Sequence, residues 1–244
     1  RFAFQIFVQQ SQTEVKSAFS GISVAYHICS ALNPNEVDIG KVMIEAAMSS
    51  KIDYFSYHSV LHSVLQEMPH HQKKLKVEEL VIDSGLPYSI IQPSVFMQNI
   101  FESWNVLYEK GVFRQKFFAN SNTRMCLLDL EDLAEAVSIL LMDKSYIGAT
   151  YEICGPENLS LSDMISIFEK QLQRKIIVET PSDELMAQNM KKSGSDEYRI
   201  STLLKMFHHY NEHGFIGNPK IISMILGRKP NDFASFLNKA IKSV

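Results

Sequence analysis

Apolar and polar positions along the 244-residue chain fall into two alternating rhythms. Short β-branched or aromatic runs at Phe2–Val8, Val24–Cys29, Tyr54–Ser59, Tyr88–Gln92, Met125–Leu128, Thr150–Cys154 and Ile176–Glu179 read as strands. Between them, Thr13–Phe19, Glu36–Ser50, His70–Ser84, Asn99–Lys110, Glu131–Met142 and Leu161–Leu172 carry helical spacing. Strand and helix alternating in this way make βαβ units, so the predicted fold class is α/β, a doubly wound and mainly parallel sheet. Two end signals support the helix assignments: Gly85 follows Ser84 as a C-terminal cap, and Ser160 precedes Leu161 with Asp163 three residues on, as in a capping box.

After residue 180 the strand-like runs stop. Pro181–His213, Lys220–Leu226 and Asp232–Lys242 read as helical, separated by Gly214–Pro219 and Gly227–Pro230. They predict a smaller, mostly helical C-terminal lobe packed on the sheet, where a substrate pocket is often closed. The expected division is residues 1–155 for the sheet domain and 156–244 for the lobe, interleaved with 93–125.

Composition narrows the choice of partners. A net charge of −3, with Lys and Arg scattered, leaves no basic field for nucleic acid, so DNA and RNA are not expected as direct ligands. Cys29, Cys126 and Cys154 are odd in number and each sits in an apolar run, which predicts reduced buried thiols rather than a disulfide framework. No apolar stretch approaches the roughly 20 residues that cross a bilayer, and Arg1-Phe2-Ala3-Phe4-Gln5 has no signal-peptide pattern. The expectation is a cytoplasmic protein without a membrane partner. Because the chain opens on Arg1, it is also expected to be a fragment.

In open parallel sheets ligands bind beyond the carboxyl ends of the strands. The segments so placed are His27–Asn33, Ser59–His62 and Pro93–Asn99, each with polar groups directly after an apolar run. Taken singly, such residues equally make turns. The helix beginning near His70 says more. Its inward stripe, Val77 and Val81, extends back through Lys74 to His70, which places a lysine and a histidine in line with buried positions. Lys74 either faces a ligand, or snorkels to solvent, or pairs with Glu78 one turn on, the last being the weaker orientation for a helical pair. His70 is either a site residue or an ordinary first-turn polar residue. His58 and His62, and His209 and His213, are four apart, but no HExxH or Cys-rich pattern adds ligands, so no metal site is predicted.

Several segments together resemble a known family. These are Tyr57–His62, Pro69–Glu79, Ser84–Pro93, Phe96–Asn99, Leu128–Ala134 and Thr150–Glu157, in that order and spacing. They are similar to the NmrA-like branch of the atypical short-chain dehydrogenases/reductases, over nearly the whole chain from about Phe19 to Pro230. The resemblance implies a Rossmann-like domain binding NADP or NAD, with a smaller substrate lobe. It also implies site residues. Where the wider superfamily has a Tyr-x-x-x-Lys pair, this chain has His70-x-x-x-Lys74, so Lys74 is expected to hold the nicotinamide ribose and His70 to stand where the catalytic tyrosine would. Histidine can donate a proton near neutral pH. Ser59 occupies the polar position at the end of the preceding strand, and His27, Cys29, Ser30, Ser59, Lys74, Pro93, Ser94 and Val95 are the expected cofactor contacts, with Asn99 and His62 facing substrate.

The family also opens with a strand, a Gly-x-x-Gly-x-x-Gly turn and a helix. No such turn precedes Val24, and Gly21 and Gly40 are isolated. Two βα units need roughly 60 residues, so the expectation is that these units lie in missing residues. Two functions fit the resemblance. One is an NAD(P)H-dependent reductase of a small carbonyl or quinone-like substrate. The other is a non-catalytic sensor of the dinucleotide that binds a regulatory protein partner.

Overall fold

The structure is a computed structural model that describes residues 12–116 and 123–242. The strand expected at Phe2–Val8 lies outside the described residues. Helices and strands alternate at first: α1 (Gln12–Ala18), β1 (Val24–His27), α2 (Glu36–Ser50), β2 (Tyr54–His58), α3 (Pro69–Asp83) and β3 (Tyr88–Pro93). Then come β4 (Val95–Phe96), a 3-10 segment at Met97–Ser103, α4 (Trp104–Lys110), β5 (Val112–Arg114), β6 (Arg124–Leu128), α5 (Leu130–Met142), β7 (Ala149–Ile153), β8 (Asn158–Ser160), α6 (Leu161–Leu172) and β9 (Ile177–Glu179). Four helices end the described chain: α7 (Asp183–Lys192), α8 (Glu197–His213), α9 (Lys220–Leu226) and α10 (Phe233–Lys242). The chain forms two compact units. One runs to Gln92 and takes in Ser138–Tyr151; the other comprises Pro93–Val137 and the residues from Glu152 onward.

The first unit is built on a sheet of order β1-β2-β3-β7. β1 and β2 are parallel with His27 opposite Tyr57, and β2 and β3 are parallel with His58 opposite Ile91. Residues alternate faces along a strand, and Phe55, Tyr57 and Ile90 share one core with Val15 of α1, Phe19 just after it, Ile44 and Ala47 of α2, and Val77 and Val81 of α3. The intervening positions include Ser56 and Ser89, whose hydroxyls are 2.9 Å apart, Ser89 donating. Gly40 sets the approach of α2 to α3. A Cβ there would stand 2.9 Å from both Val77 methyls, closer than packed carbons tolerate.

In the second unit β4 and β6 are parallel, β6 and β8 antiparallel, and β5 pairs with β9 as a separate parallel ribbon. The short strands β4, β5 and β8 have two or three residues each, too few to show alternation in the sequence. The Ser160–Asp163 capping box forms as expected. Two expected helices differ. The segment expected as one helix at Asn99–Lys110 is split, with a 3-10 segment ending at Ser103, whose φ of −126° leaves helical geometry before α4 starts. Pro181–His213 divides into α7 and α8, because Gly194 takes a φ of +87° and the Asp196 carboxylate then accepts from Arg199 N at 2.7 Å to cap a new helix. Among the described residues no helix is long and apolar enough to cross a membrane.

Candidate functional site

The carboxyl ends of β1 and β2 carry a buried ionic group that no local pattern announces. Lys74, on the inward stripe of α3, donates to Glu36 Oε1 at 2.6 Å and to the His58 carbonyl at 3.0 Å. Its partner is thus not Glu78 one turn on but a carboxylate 38 residues earlier, at the first position of α2. The Glu36 side chain is fully buried and that of Lys74 is 9% exposed. Glu36 sits where the partial positive charge of a helix N-terminus favours a carboxylate. Tyr57 Oη also donates to Glu36 Oε1, at 2.8 Å, and the Lys74 ammonium lies 5.3 Å from the centre of the Tyr57 ring. Burial first, and then the Glu36 charge, push the Tyr57 hydroxyl far above its ordinary range, so it stays a donor. Lys74 thereby uses two of its three donors, and Glu36 Oε2 is buried with no hydrogen-bond partner.

Glu78 serves a second network. Its carboxylate accepts from Ser59, from Ser63 at 3.1 Å and from Gln92 at 2.8 Å, and Gln92 also donates to Ser63 Oγ at 3.1 Å. All four residues are buried. This ties the ends of β2 and β3 to α3, and it commits the Ser59 proton to Glu78.

Three histidines surround Lys74 electrostatically, and all are held neutral at physiological pH. Burial, and then the Lys74 charge, lower His27 to about 4. Burial, Lys74 and His27 bring His58 to about 3, and burial, His71 and Lys74 bring His70 to about 3. His27 stacks on Tyr57 with ring centres 5.7 Å apart, His58 Nδ1 and Tyr26 Oη are hydrogen-bonded at 2.5 Å, and the His70 and His71 rings meet at right angles with centres 4.5 Å apart. His27 Nε2 and His70 Nδ1 are buried without hydrogen-bond partners. Cys29 is a buried thiol that burial and Glu36 push up to about 11, and Ser30 beside it is exposed. His62 takes a left-handed φ of 56°, costly for a residue with a Cβ. Its carbonyl accepts from Leu65 N at 3.1 Å and His71 Nδ1 at 2.8 Å, which holds the turn between β2 and α3.

The structure therefore brings together His27, Cys29, Ser59, His62, His70 and Lys74 in the first unit. Pro93, Ser94, Val95 and Asn99 belong to the second. Pro93 ends β3 and is buried, Ser94 is buried next to the Cys126 thiol, Val95 starts β4, and Asn99 is exposed on the 3-10 segment. Cys126 donates to the Gly155 carbonyl at 3.6 Å and contacts the Cys154 thiol, which lowers Cys126 and raises Cys154. Glu36, Tyr57, Glu78 and Gln92 were not predicted as site residues. The only signal for Glu36 was a carboxylate at a helix start after a strand-end segment. Among the described residues no three potential metal ligands gather.

Chemically, the group around Lys74 offers a fixed cation with a donor to spare and neutral imidazoles beside the ends of β1 and β2. The Prestalk A differentiation protein A of Dictyostelium discoideum is 24% identical over 170 residues, 69% of this chain and 56% of that protein, so the chain spans little more than half of it. A crystal structure of an NADPH-dependent quinone oxidoreductase from Escherichia coli, complexed with NADPH, superposes with a TM-score of 0.81 at 19% identity, covering 95% of this chain and 81% of that one. NmrA, a negative transcriptional regulator solved in complex with NAD, superposes with a TM-score of 0.74 at 18% identity over 95% of this chain and 78% of that one. These likenesses show the fold to be Rossmann-like. The model of the NmrA-like family matches residues 8–237, and the chain belongs to that family.

Proposed function

We propose that the protein binds NADP or NAD along the carboxyl ends of β1, β2 and β3 and uses it to reduce a small quinone-like or carbonyl substrate. The observation that carries this reading is the Lys74 ammonium, held at the end of β2 by Glu36 and the His58 carbonyl. A cation with one donor left suits a ribose hydroxyl, which can accept from it. The similarity to an NADPH-dependent quinone oxidoreductase supports the same reading.

Lys74, fixed by Glu36, holds the ribose, His27, Cys29 and Ser30 line the end of β1, and Ser59 lines the end of β2. His62 faces the substrate. When bound, the dinucleotide supplies a hydride. His70 is held neutral, so at pH 7 it offers a hydrogen bond rather than an imidazolium proton. That favours a quinone over a ketone, because a hydroquinone oxygen is far less basic than an alkoxide and takes its proton from water. The sheet domain of residues 1–155 would carry the cofactor and the lobe of 156–244, with 93–125, the substrate. The cytoplasm, which keeps thiols such as Cys29 reduced, would be its compartment.

One observation favours a second reading, a non-catalytic sensor with a protein partner. The Ser59 proton is taken by Glu78 and His70 is uncharged, so neither is a ready acid. NADPH oxidation by the full-length protein, followed with a panel of quinones and carbonyls, separates the two. Turnover with a quinone supports the reductase. Tight NADPH binding with no oxidation across the panel supports the sensor.

A further inference from the structure

Glu36 is not among the family's expected site residues, yet its geometry gives it a defined task. We infer that Glu36 is the positioning residue for Lys74: the buried carboxylate fixes the ammonium at the end of β2 and leaves one of its donors for a ligand. This rests on the dinucleotide reading and deepens it.

A lysine stem is long enough to carry its charge to water, and an unpaired lysine on this stripe would do so. Lys74 instead stays buried, because Glu36 supplies the counter-charge and the His58 carbonyl a second acceptor. Glu36 is itself immobilised. Tyr57 Oη holds it from β2, the start of α2 favours its charge, and Gly40, one turn further along α2, seats that helix against Val77, one turn further along α3.

The division of labour between the two carboxylate oxygens points the same way. Both donors, Lys74 and Tyr57, are bound to Oε1, while Oε2 is buried with no partner. A pair serving stability alone gains nothing from a buried unsatisfied oxygen, and apolar residues of similar volume often replace buried pairs without loss. A bound ribose hydroxyl would accept from the remaining Lys74 proton.

The test is a double-mutant cycle in the full-length protein, with NADPH affinity from fluorescence titration and thermal midpoints measured on the same samples. Glu36→Gln keeps the shape and removes the charge; Lys74→Met removes the cation. If Glu36 acts through Lys74, each single change weakens NADPH binding by about tenfold and the double variant by about tenfold as well, rather than the hundredfold expected of independent sites. Glu36→Asp, which keeps the charge at a shorter reach, falls between wild type and Glu36→Gln. A Glu36→Gln protein with a lowered midpoint and unchanged NADPH affinity overturns the inference, and so does a multiplicative double variant. A wild-type protein that does not bind NADPH fails earlier: it removes the dinucleotide reading and this assignment with it.

Discussion

Gly40 of α2 stands against Val77 of α3 so closely that a Cβ would lie 2.9 Å from both valine methyls, and one turn back on each helix Glu36 and Lys74 are paired at 2.6 Å. The helix contact and the ionic contact are two levels of one interface. A side chain at residue 40 would therefore push α2 away from the site. Gly40→Ala is expected to destabilise the protein by about 1–3 kcal/mol, the range for overpacking a filled core. It should also weaken NADPH binding, although residue 40 is not proposed to touch the cofactor. Urea unfolding and an NADPH titration check the two parts separately.

Glu78 accepts three hydrogen bonds inside the protein. Glu78→Ala strands Ser59, Ser63 and Gln92 without their acceptor and is expected to cost about 2–5 kcal/mol, more than a typical substitution. The midpoint of chemical unfolding measures it.

Arg228 binds Asp132, whose side chain is fully buried, at 2.7 Å and Glu135 at 2.5 Å. Asn231 N adds a bond to Asp132 at 2.5 Å and Asn231 Nδ2 one to Asp129 at 3.0 Å, so the loop before α10 is fastened to the start of α5. Arg228→Ala leaves a buried carboxylate short of its cation. It is expected to destabilise the second unit by about 1–3 kcal/mol, with Arg228→Lys intermediate because lysine lacks the planar fork. Thermal unfolding of the two variants tests the order.

Acid should loosen the first unit. The folded-state values of His27, His58 and His70 are about 4, 3 and 3, below the ordinary 6.5. Below pH 6.5 the unfolded chain takes up protons that the folded chain refuses, so the stabilisation is complete above pH 6.5 and is lost as pH falls toward 3–4. Thermal midpoints measured from pH 7.5 down to pH 5 are expected to fall. Replacing His27 with Gln should flatten that slope by about a third, since one of three linked protons is removed. A slope unchanged by the replacement would count against a neutral buried His27.

Much of this was legible in the sequence, and the reasons differ by element. α2 appears with the predicted bounds, Glu36–Ser50, because a long periodic segment between strand-end turns leaves little freedom. The stripe of His70, Lys74, Val77 and Val81 is buried as the helical spacing implied. The partner of Lys74 was not legible. Pairing across 38 residues depends on how close α2 comes to α3, which Gly40 decides and no local pattern encodes. The Glu78 network was hidden for a similar reason: Ser59, Ser63 and Gln92 meet it only once β2 and β3 lie side by side. Short strands such as β4 and β8 were lost because pairing, not periodicity, defines them.

Lys74 is the cation proposed to meet a dinucleotide. Titration of the full-length protein with NADPH, alongside the Lys74→Met variant, tests it most directly. The prediction is saturable binding by the wild type and about tenfold weaker binding by a variant that remains folded. Equal affinity in the two proteins, or no binding by the wild type, would contradict it.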